Sequence, residues 1–297
     1  MLNNETVDEV TEHRARAKSA DRALQVLEYL AKTPEGTTFS EIARGLSLPK
    51  SSAHELLTVM TERSFVEFNP TTKLYRLGIR TWELGQAFVA HRDLITEARP
   101  VIQAISAALD ETVQLSVLDG LEEVYLDRVD SSQPLRVQAI IGARAPAHTT
   151  ALGKVLLSDR REGDLLSGLR GRKLAAATGN TITTADQLIL ELRWVRANGF
   201  AIDNEEHATG LRCVAVPIRD HTGAIIASAS VAIPITRADA DQMTDALLAL
   251  LKGANDISRN LGCDAALLGP TGTQRADSRF LIEEKLEGWD SPSAIAN

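Results

Sequence analysis

The sequence predicts an α+β protein in two parts: a small helical head closed by a β-hairpin, and a larger body of helices around antiparallel strands. Three observations carry this. Between residues 19 and 63, apolar residues recur at helical spacing in three short blocks, separated by Pro34-Glu35-Gly36 and by Leu48-Pro49. Directly after them, Phe65 to Phe68 and Lys73 to Leu77 are strand-like and are split by Asn69-Pro70-Thr71-Thr72. Beyond residue 110, short alternating or continuously apolar runs return between helical blocks.

Helix one starts near Ser19, a good N-cap, and runs to about Lys32 with Ala23, Val26, Leu27 and Leu30 on one face. Ser40 can cap helix two, whose Ile42, Ala43 and Leu46 face a core. Leu48-Pro49 forms the turn. Helix three runs from about Lys50 to Arg63, buries Ala53, Leu56, Leu57 and Met60, and exposes Lys50, Ser51, Ser52, His54 and Glu55 at its start. Three helices followed by a hairpin are the outline of a winged helix-turn-helix, which makes double-stranded DNA the first partner to consider. In that geometry the third helix enters the major groove. Ser51 and Ser52 can then donate to phosphates or base edges near the positive end of the helix, with Lys50 adding charge and His54 one turn on. Arg44 and Thr38 belong to helix two and its approach, where phosphate contacts are usual, and Lys73 sits in the wing. A three-helix module used for protein contact, as in an interaction scaffold, is the competing reading.

The charge distribution supports the first of these. The whole chain carries −8, yet residues 13 to 80 hold eleven Lys/Arg against seven Asp/Glu, so a basic head sits on an acidic body. The length suits two ordinary domains. No apolar run reaches membrane-spanning length and the N-terminus is polar, so a cytoplasmic protein without a membrane partner is expected. Two cysteines, Cys213 and Cys263, neither make a disulfide framework nor have zinc-site spacing. Residues 1–18 read as a disordered arm, with Arg14, Arg16 and Lys18 able to follow a DNA backbone.

The head spans residues 19–78, and a linker helix with Trp82, Leu84, Phe88 and Val89 covers 79–93. Its aromatics suit either dimer packing or burial against its own domain. Helix Ile79 to Ala90 is separated from a second, Pro100 to Leu109, because proline removes an amide donor and disfavours a helical residue before it. The body spans 94–262. Strands are expected at Gln114 to Leu118, Glu123 to Arg128, Arg136 to Ile141, Phe200 to Asp203, Cys213 to Arg219 and Ala224 to Ile233. Helices are expected from Ala151, over Thr184 to Asn198 and over Ala238 to Asn260. Residues 263–297 read as a flexible tail with one transient amphipathic helix over Phe280 to Leu286.

Two segments of the body could carry chemistry. In Pro146-Ala147-His148-Thr149-Thr150-Ala151-Leu152-Gly153-Lys154, Thr149 or Thr150 would cap a helix whose first amides attract a carboxylate. An ordinary capped helix, with Gly153 allowing close packing, uses the same residues. In Gly199 to Cys213, three carboxylates, His207 and Cys213 lie close in sequence. A metal site, a Cys-His nucleophile and a turn-rich loop with a small buried thiol are all compatible with that composition.

Together with the helix-turn-helix, these segments give the chain its resemblance to the IclR family of bacterial transcriptional regulators. The residues that carry it are Ala20-Asp21-Arg22-Ala23-Leu24, Pro146 to Lys154 and Asp203-Asn204-Glu205-Glu206-His207-Ala208-Thr209-Gly210-Leu211-Arg212-Cys213. The resemblance implies a winged N-terminal domain with Arg22 facing DNA, and a C-terminal α/β effector-binding (GAF-like) domain with an antiparallel sheet. It implies homodimers or homotetramers on operator DNA, and a small organic acid as effector. It also implies a pocket walled by Ala151, Leu152, Asp203, Leu211, Cys213 and Ser230, with Val137 offered by the strand Arg136 to Ile141. Small residues are frequent in the family where this chain has Leu152, and Ala232 stands where some members carry a second serine. An acid with an apolar body therefore suits this pocket better than a polyhydroxylated sugar acid. No cofactor, metal or catalytic group is expected. The rival from a different class is a Cys213/His207 hydrolase joined to a DNA-binding head.

Overall fold

The computed structural model describes residues 5–90, 93–136, 140–268 and 275–287. The chain forms two compact units, residues 1–92 and 93–297.

In the first unit the order is α1 Glu5–Ala31, β1 Thr37–Thr38, α2 Phe39–Gly45, α3 Lys50–Glu62, β2 Val66–Asn69, β3 Leu74–Leu77 and α4 Ile79–Ala90. Val26, Leu30, Ile42, Ala53, Leu57, Met60 and Val66 form its buried core. The hairpin β2–β3 gains a third strand that the pattern did not suggest: the two-residue β1 pairs with β3, giving the order β1-β3-β2. The hairpin turns because Asn69 Oδ1 accepts the amides of Thr71 at 2.9 Å and Thr72 at 3.1 Å.

Two expectations for this unit are corrected. Helix α1 starts at Glu5, not at Ser19, so the arm expected to be disordered is helical over its described part. Residues 5–18 contain no Gly or Pro, and Glu, Ala and Arg recur through them, so helix propensity carries the helix past a residue that could have capped it. Helix α2 is capped by Thr38, not Ser40. The Thr38 hydroxyl accepts from the Glu41 amide at 3.3 Å while the Glu41 carboxylate accepts from the Thr38 amide at 2.8 Å, a reciprocal capping box.

The second unit runs α5 Asp93–Leu109, β4 Thr112–Asp119, β5 Glu122–Val129, β6 Arg144–Pro146, α6 Ala151–Ser158, α7 Glu162–Leu169, α8 Ala185–Asn198, β7 Ala201–Asn204, β8 Leu211–Arg219, β9 Ile225–Pro234, α9 Ala240–Asn260 and α10 Arg275–Glu287. One antiparallel sheet has the order β6-β5-β4-β9-β8-β7. Helix α5 begins before Pro100 and contains it. Pro100 lies on the exposed side, while Leu94, Ala98, Ile102 and Ile105 form one buried stripe, and that burial outweighs the lost hydrogen bond. Of the strand expected over Arg136 to Ile141, residues 137–139 lie outside the described residues. Arg136, Ile140 and Ile141 are not in a strand, and the sheet edge is β6 instead.

Strand alternation sorts this sheet into two unlike faces. Val113, Leu115, Ile202, Val214, Val216, Ile218, Val231 and Ile233 point to one side, where Met243, Leu247 and Leu250 of α9 and Ile102 of α5 cover them. Ala201, Cys213, Ala215 and Ala232 point to the other, against Ala151, Leu152 and Val155 of α6 and Val195 of α8. Gln114, Asp203, Ser228 and Ser230 share this second face by register and are all buried. Large aliphatics fill the first face. The second carries small and polar side chains, which leave room under α6.

The segment expected to be a flexible tail is corrected too. Ile282 of α10 is fully buried and, with Leu286, joins the α9 side of the core. The amphipathic pattern was legible, but only the tertiary structure shows a surface waiting for it.

Candidate functional site

Helix α3 begins without a capping side chain. Its N-cap is Pro49, and the first intrahelical bond runs from the Ala53 amide to the Pro49 carbonyl at 2.9 Å. The amides of Lys50, Ser51 and Ser52 precede that bond, at the end of the helix where the peptide dipoles leave positive charge. The turn before it depends on Ser47 in the left-handed region (φ 51°) and on Leu48, which is buried. Lys50, Ser51, His54, Arg44 and Lys73 are exposed, and Arg22, Thr38 and Ser52 are half-buried. The Thr38 hydroxyl is already engaged with Glu41. His54 stands edge-on to Phe39 (centroids 6.4 Å), and the Lys73 ammonium lies 5.9 Å from the Phe68 ring. The exposed set forms a cationic, hydroxyl-bearing surface at the start of α3, with a further cation in the wing.

The second unit holds a cavity of about 270 Å³ between α6 and the small-residue face of the sheet. Six residues singled out from the sequence line it together: Ala151 and Leu152 at the start of α6, Asp203 of β7, Leu211 and Cys213 of β8 and Ser230 of β9. Val137 lies outside the described residues. Three strands and a helix start therefore converge on one volume. A larger recess of about 380 Å³ lies beside Asp159, Arg160, Arg161 and Asp164, but these charges are exposed and face water.

Local chemistry explains the helix start. Thr150 caps α6 by accepting the Gly153 amide at 2.9 Å, and the first intrahelical bond runs from the Lys154 amide to Thr150. The amides of Ala151 and Leu152 lie ahead of it, where an anion is favoured. Ser230 Oγ donates to Gln114 Oε1 at 3.4 Å. Asp203 Oδ1 accepts the amides of Glu206 at 2.7 Å and His207 at 3.3 Å, which ties the following loop over the cavity wall.

Behind this wall lies a buried charge cluster. Lys154, with no exposed surface, donates to Glu206 Oε1 at 2.5 Å and to the Ile202 carbonyl at 2.5 Å, and sits 3.3 Å from Glu191 Oε1. Burial opposes the Lys154 charge, but Glu206 and Glu191 outweigh it and hold its pKa above the ordinary value. Burial pushes the Asp203 carboxyl well above the usual carboxylate range, against the attraction of Lys154. Burial likewise raises Glu123, to about 7, opposed by the hydroxyls of Tyr125, Thr150 and Ser116. The Cys213 thiol is raised by burial and by the Asp203 and Glu123 carboxylates. His207 is lowered by burial, and its Nδ1 is 2.9 Å from the Thr149 hydroxyl. A thiol held protonated, beside an imidazole engaged elsewhere, is poorly suited to nucleophilic attack.

Thr150 and His207, read from the sequence as a helix cap and as the base of a hydrolase, also line the cavity, together with Gln114, Tyr125, Ile140, Ala143, Arg144 and Ala145, which the sequence did not single out. In β4 the polar Thr112, Gln114 and Ser116 alternate with Val113, Leu115 and Val117, and that alternation was a usable signal. The β6 residues were not identifiable, because that edge strand was placed elsewhere.

A winged three-helix head followed by an α/β body with one antiparallel sheet is the architecture of a helix-turn-helix DNA-binding regulator. The comparisons agree. Residues 19–70 match the IclR helix-turn-helix domain and residues 86–259 match the bacterial transcriptional regulator IclR C-terminal domain. The HTH-type transcriptional regulator XynR of Escherichia coli is 31% identical over 248 residues, 84% of this chain and 98% of that protein. The acetate operon repressor of Salmonella typhimurium is 31% identical over 249 residues, 83% and 91% respectively. Among solved structures, the Thermotoga maritima IclR aligns with a TM-score of 0.68 at 31% identity, covering 83% of this chain and 99% of that one. An IclR homolog of Microbacterium hydrocarbonoxydans, complexed with 4-hydroxybenzoate, aligns with a TM-score of 0.72 at 25% identity, covering 82% and 98%. The chain belongs to the IclR family of transcriptional regulators.

Proposed function

We propose that this regulator binds operator DNA through the start of α3 and senses a small organic acid in the cavity under α6. The observation that carries the effector reading is the convergence of Ala151, Leu152, Asp203, Leu211, Cys213 and Ser230 on one volume, beside the helix-start amides that precede the first intrahelical bond of α6. The acid group docks on the amides of Ala151 and Leu152. Ser230, Gln114 and a protonated Asp203 supply further polar contacts, and Tyr125, Ile140, Leu152 and Leu211 enclose an apolar body. The 4-hydroxybenzoate bound by the Microbacterium homolog is of this type.

On the DNA side, Lys50, Ser51, Ser52 and His54 meet the groove, Arg22 and Arg44 meet the backbone, and Lys73 acts from the wing; Thr38, expected as a further backbone contact, instead uses its hydroxyl to cap α2. Exposure of Ile79, Trp82 and Leu84 on α4 supports self-association as a dimer or a pair of dimers, which would present two heads to two half-sites about one helical turn apart. The protein then works in the cytoplasm, where its operator is. Ligand and DNA are linked only if the ligand binds two arrangements with different affinity; a coupling of roughly 1 to 3 kcal/mol changes operator affinity about 5- to 150-fold. No catalytic turnover is part of this reading.

Isothermal titration and thermal denaturation with a panel of small carboxylic acids, 4-hydroxybenzoate among them, test the effector assignment. An acid with an apolar body should bind and raise the melting temperature, and Asp203→Ala should abolish both effects. Tight binding by polyhydroxylated sugar acids alone, or by no acid at all, overturns it.

A further inference from the structure

Helix α10 lies beyond the family segment, which ends at residue 259. Exposed pairs tie it to α9: Arg275 meets Asp241 and Asp245, and Arg279 lies 2.9 Å from Asp241. Such pairs contribute little by themselves. Buried contacts hold it more firmly, through Ile282 and Leu286. Its last turn does something else. Lys285, mostly buried, places its ammonium on Glu191 Oε2 and 4.4 Å above the Trp194 ring.

Glu191 is therefore shared. Its second oxygen is 3.3 Å from Lys154, which holds Glu206 at 2.5 Å, and the Glu206 amide donates to Asp203 in the cavity wall at 2.7 Å. The line from the last helix to the cavity is unbroken: Lys285, Glu191, Lys154, Glu206, Asp203. Two lysines balance two glutamates in it. Without Lys285, Glu191 becomes a buried carboxylate in surplus, and Lys154 is the cation beside it. Lys154 then divides between Glu191 and Glu206, and the loop pinned by Glu206 loses its anchor.

We propose that Lys285 is a remote positioning residue of the cavity: by holding Glu191 it keeps Lys154 on Glu206 and so fixes the wall that carries Asp203. The inference rests on the reading of the cavity as the effector site. It gives this chain a control that the family segment alone does not contain, because docking of α10 and the state of the cavity become one equilibrium.

The groups facing this line are Lys154 from α6, Glu191 from α8, Asp203 and Glu206 from β7 and its loop, Glu123 from β5, Cys213 from β8 and Lys285 itself. The test uses the full chain with carbon-13 in its Asp and Glu carboxyls, titrated by NMR. In Lys285→Met the carboxyl titrations of Glu191 and Glu206 should move up by about one pH unit, as expected when an opposite charge is removed nearby. Lys285→Arg should restore the native profile, and so should the charge-balanced pair Glu191→Gln with Lys285→Met for Glu206. If Lys285→Met does not fold, that pair should rescue folding. Native Glu206 and Asp203 titrations in a folded Lys285→Met protein, or failure of the pair to rescue, overturns the proposal. These readouts need no ligand, so failure of the effector reading shows separately, in the acid panel.

Discussion

Gly153 of α6 is in backbone contact with Ala147: a Cβ on Gly153 would lie 2.2 Å from the Ala147 carbonyl oxygen and 2.3 Å from its Cα. No side-chain rotation relieves such a contact. The approach seats the start of α6 against the short 3-10 turn Ala147–Thr149 and places the Ala151 and Leu152 amides at the cavity. Gly153→Ala gains about 1 kcal/mol of helix propensity but must move backbone, at a cost of about 3 kcal/mol or more. We expect a net loss on the order of 2 kcal/mol in denaturant unfolding, together with loss of acid binding. Native stability in this variant would show that the contact is not needed.

The start of α3 makes a separate prediction. Ser51→Ala combined with Ser52→Ala should weaken operator binding about tenfold, since each hydroxyl hydrogen bond in the groove is worth roughly 0.5 to 1.5 kcal/mol. Acid binding should stay intact. Lys50→Gln should lower the salt slope of operator binding by about one unit per head. Gel shifts at matched salt read both effects, and unchanged affinity and slope would remove α3 from the interface.

With the proposed acid in the cavity, Asp203 should make its binding depend on pH. Its carboxyl titrates well above the ordinary range because it is buried. Below that titration it is neutral and can donate to the bound acid; above it, two negative charges face each other in a low-dielectric site. Affinity for a monocarboxylate should fall as pH rises through the Asp203 titration. Asp203→Asn should flatten this dependence, and an equally steep profile in that variant would assign it to another group.

Glu123 should leave a mark on stability. Its carboxyl is fully buried and titrates at about 7 rather than 4.5. A raised folded value means that the folded state holds the proton more tightly than the unfolded chain. The contribution is complete below about 4.5 and disappears as pH rises to about 7. Glu123→Gln carries no such titration. Relative to the native chain it should gain stability across that window, on the order of 3 kcal/mol at most by pH 8. Parallel stability curves for the two proteins would show that Glu123 does not titrate there.

Much of this molecule was legible from its residues. Helical periodicity located α2, α3, α8 and α9; the structure adds that Thr184 caps α8 and that Gly199, in the left-handed region, ends it. Those signals are local, because capping and amphipathicity act within one or two turns. The six cavity residues came from motif resemblance, and register on the sheet brings them together. The sequence by itself determined the two-part architecture, the exposed start of α3 and six of the residues that line the cavity. Only the tertiary structure decided that Pro100 stays inside α5, that β6 forms the sheet edge and that α10 joins the core. It alone paired Lys154 with Glu191 and Glu206, and Glu191 with Lys285. The charge pairings join partners from 37 to 94 residues apart in the chain, and no periodicity or spacing within a segment records which distant charge or apolar face it will meet.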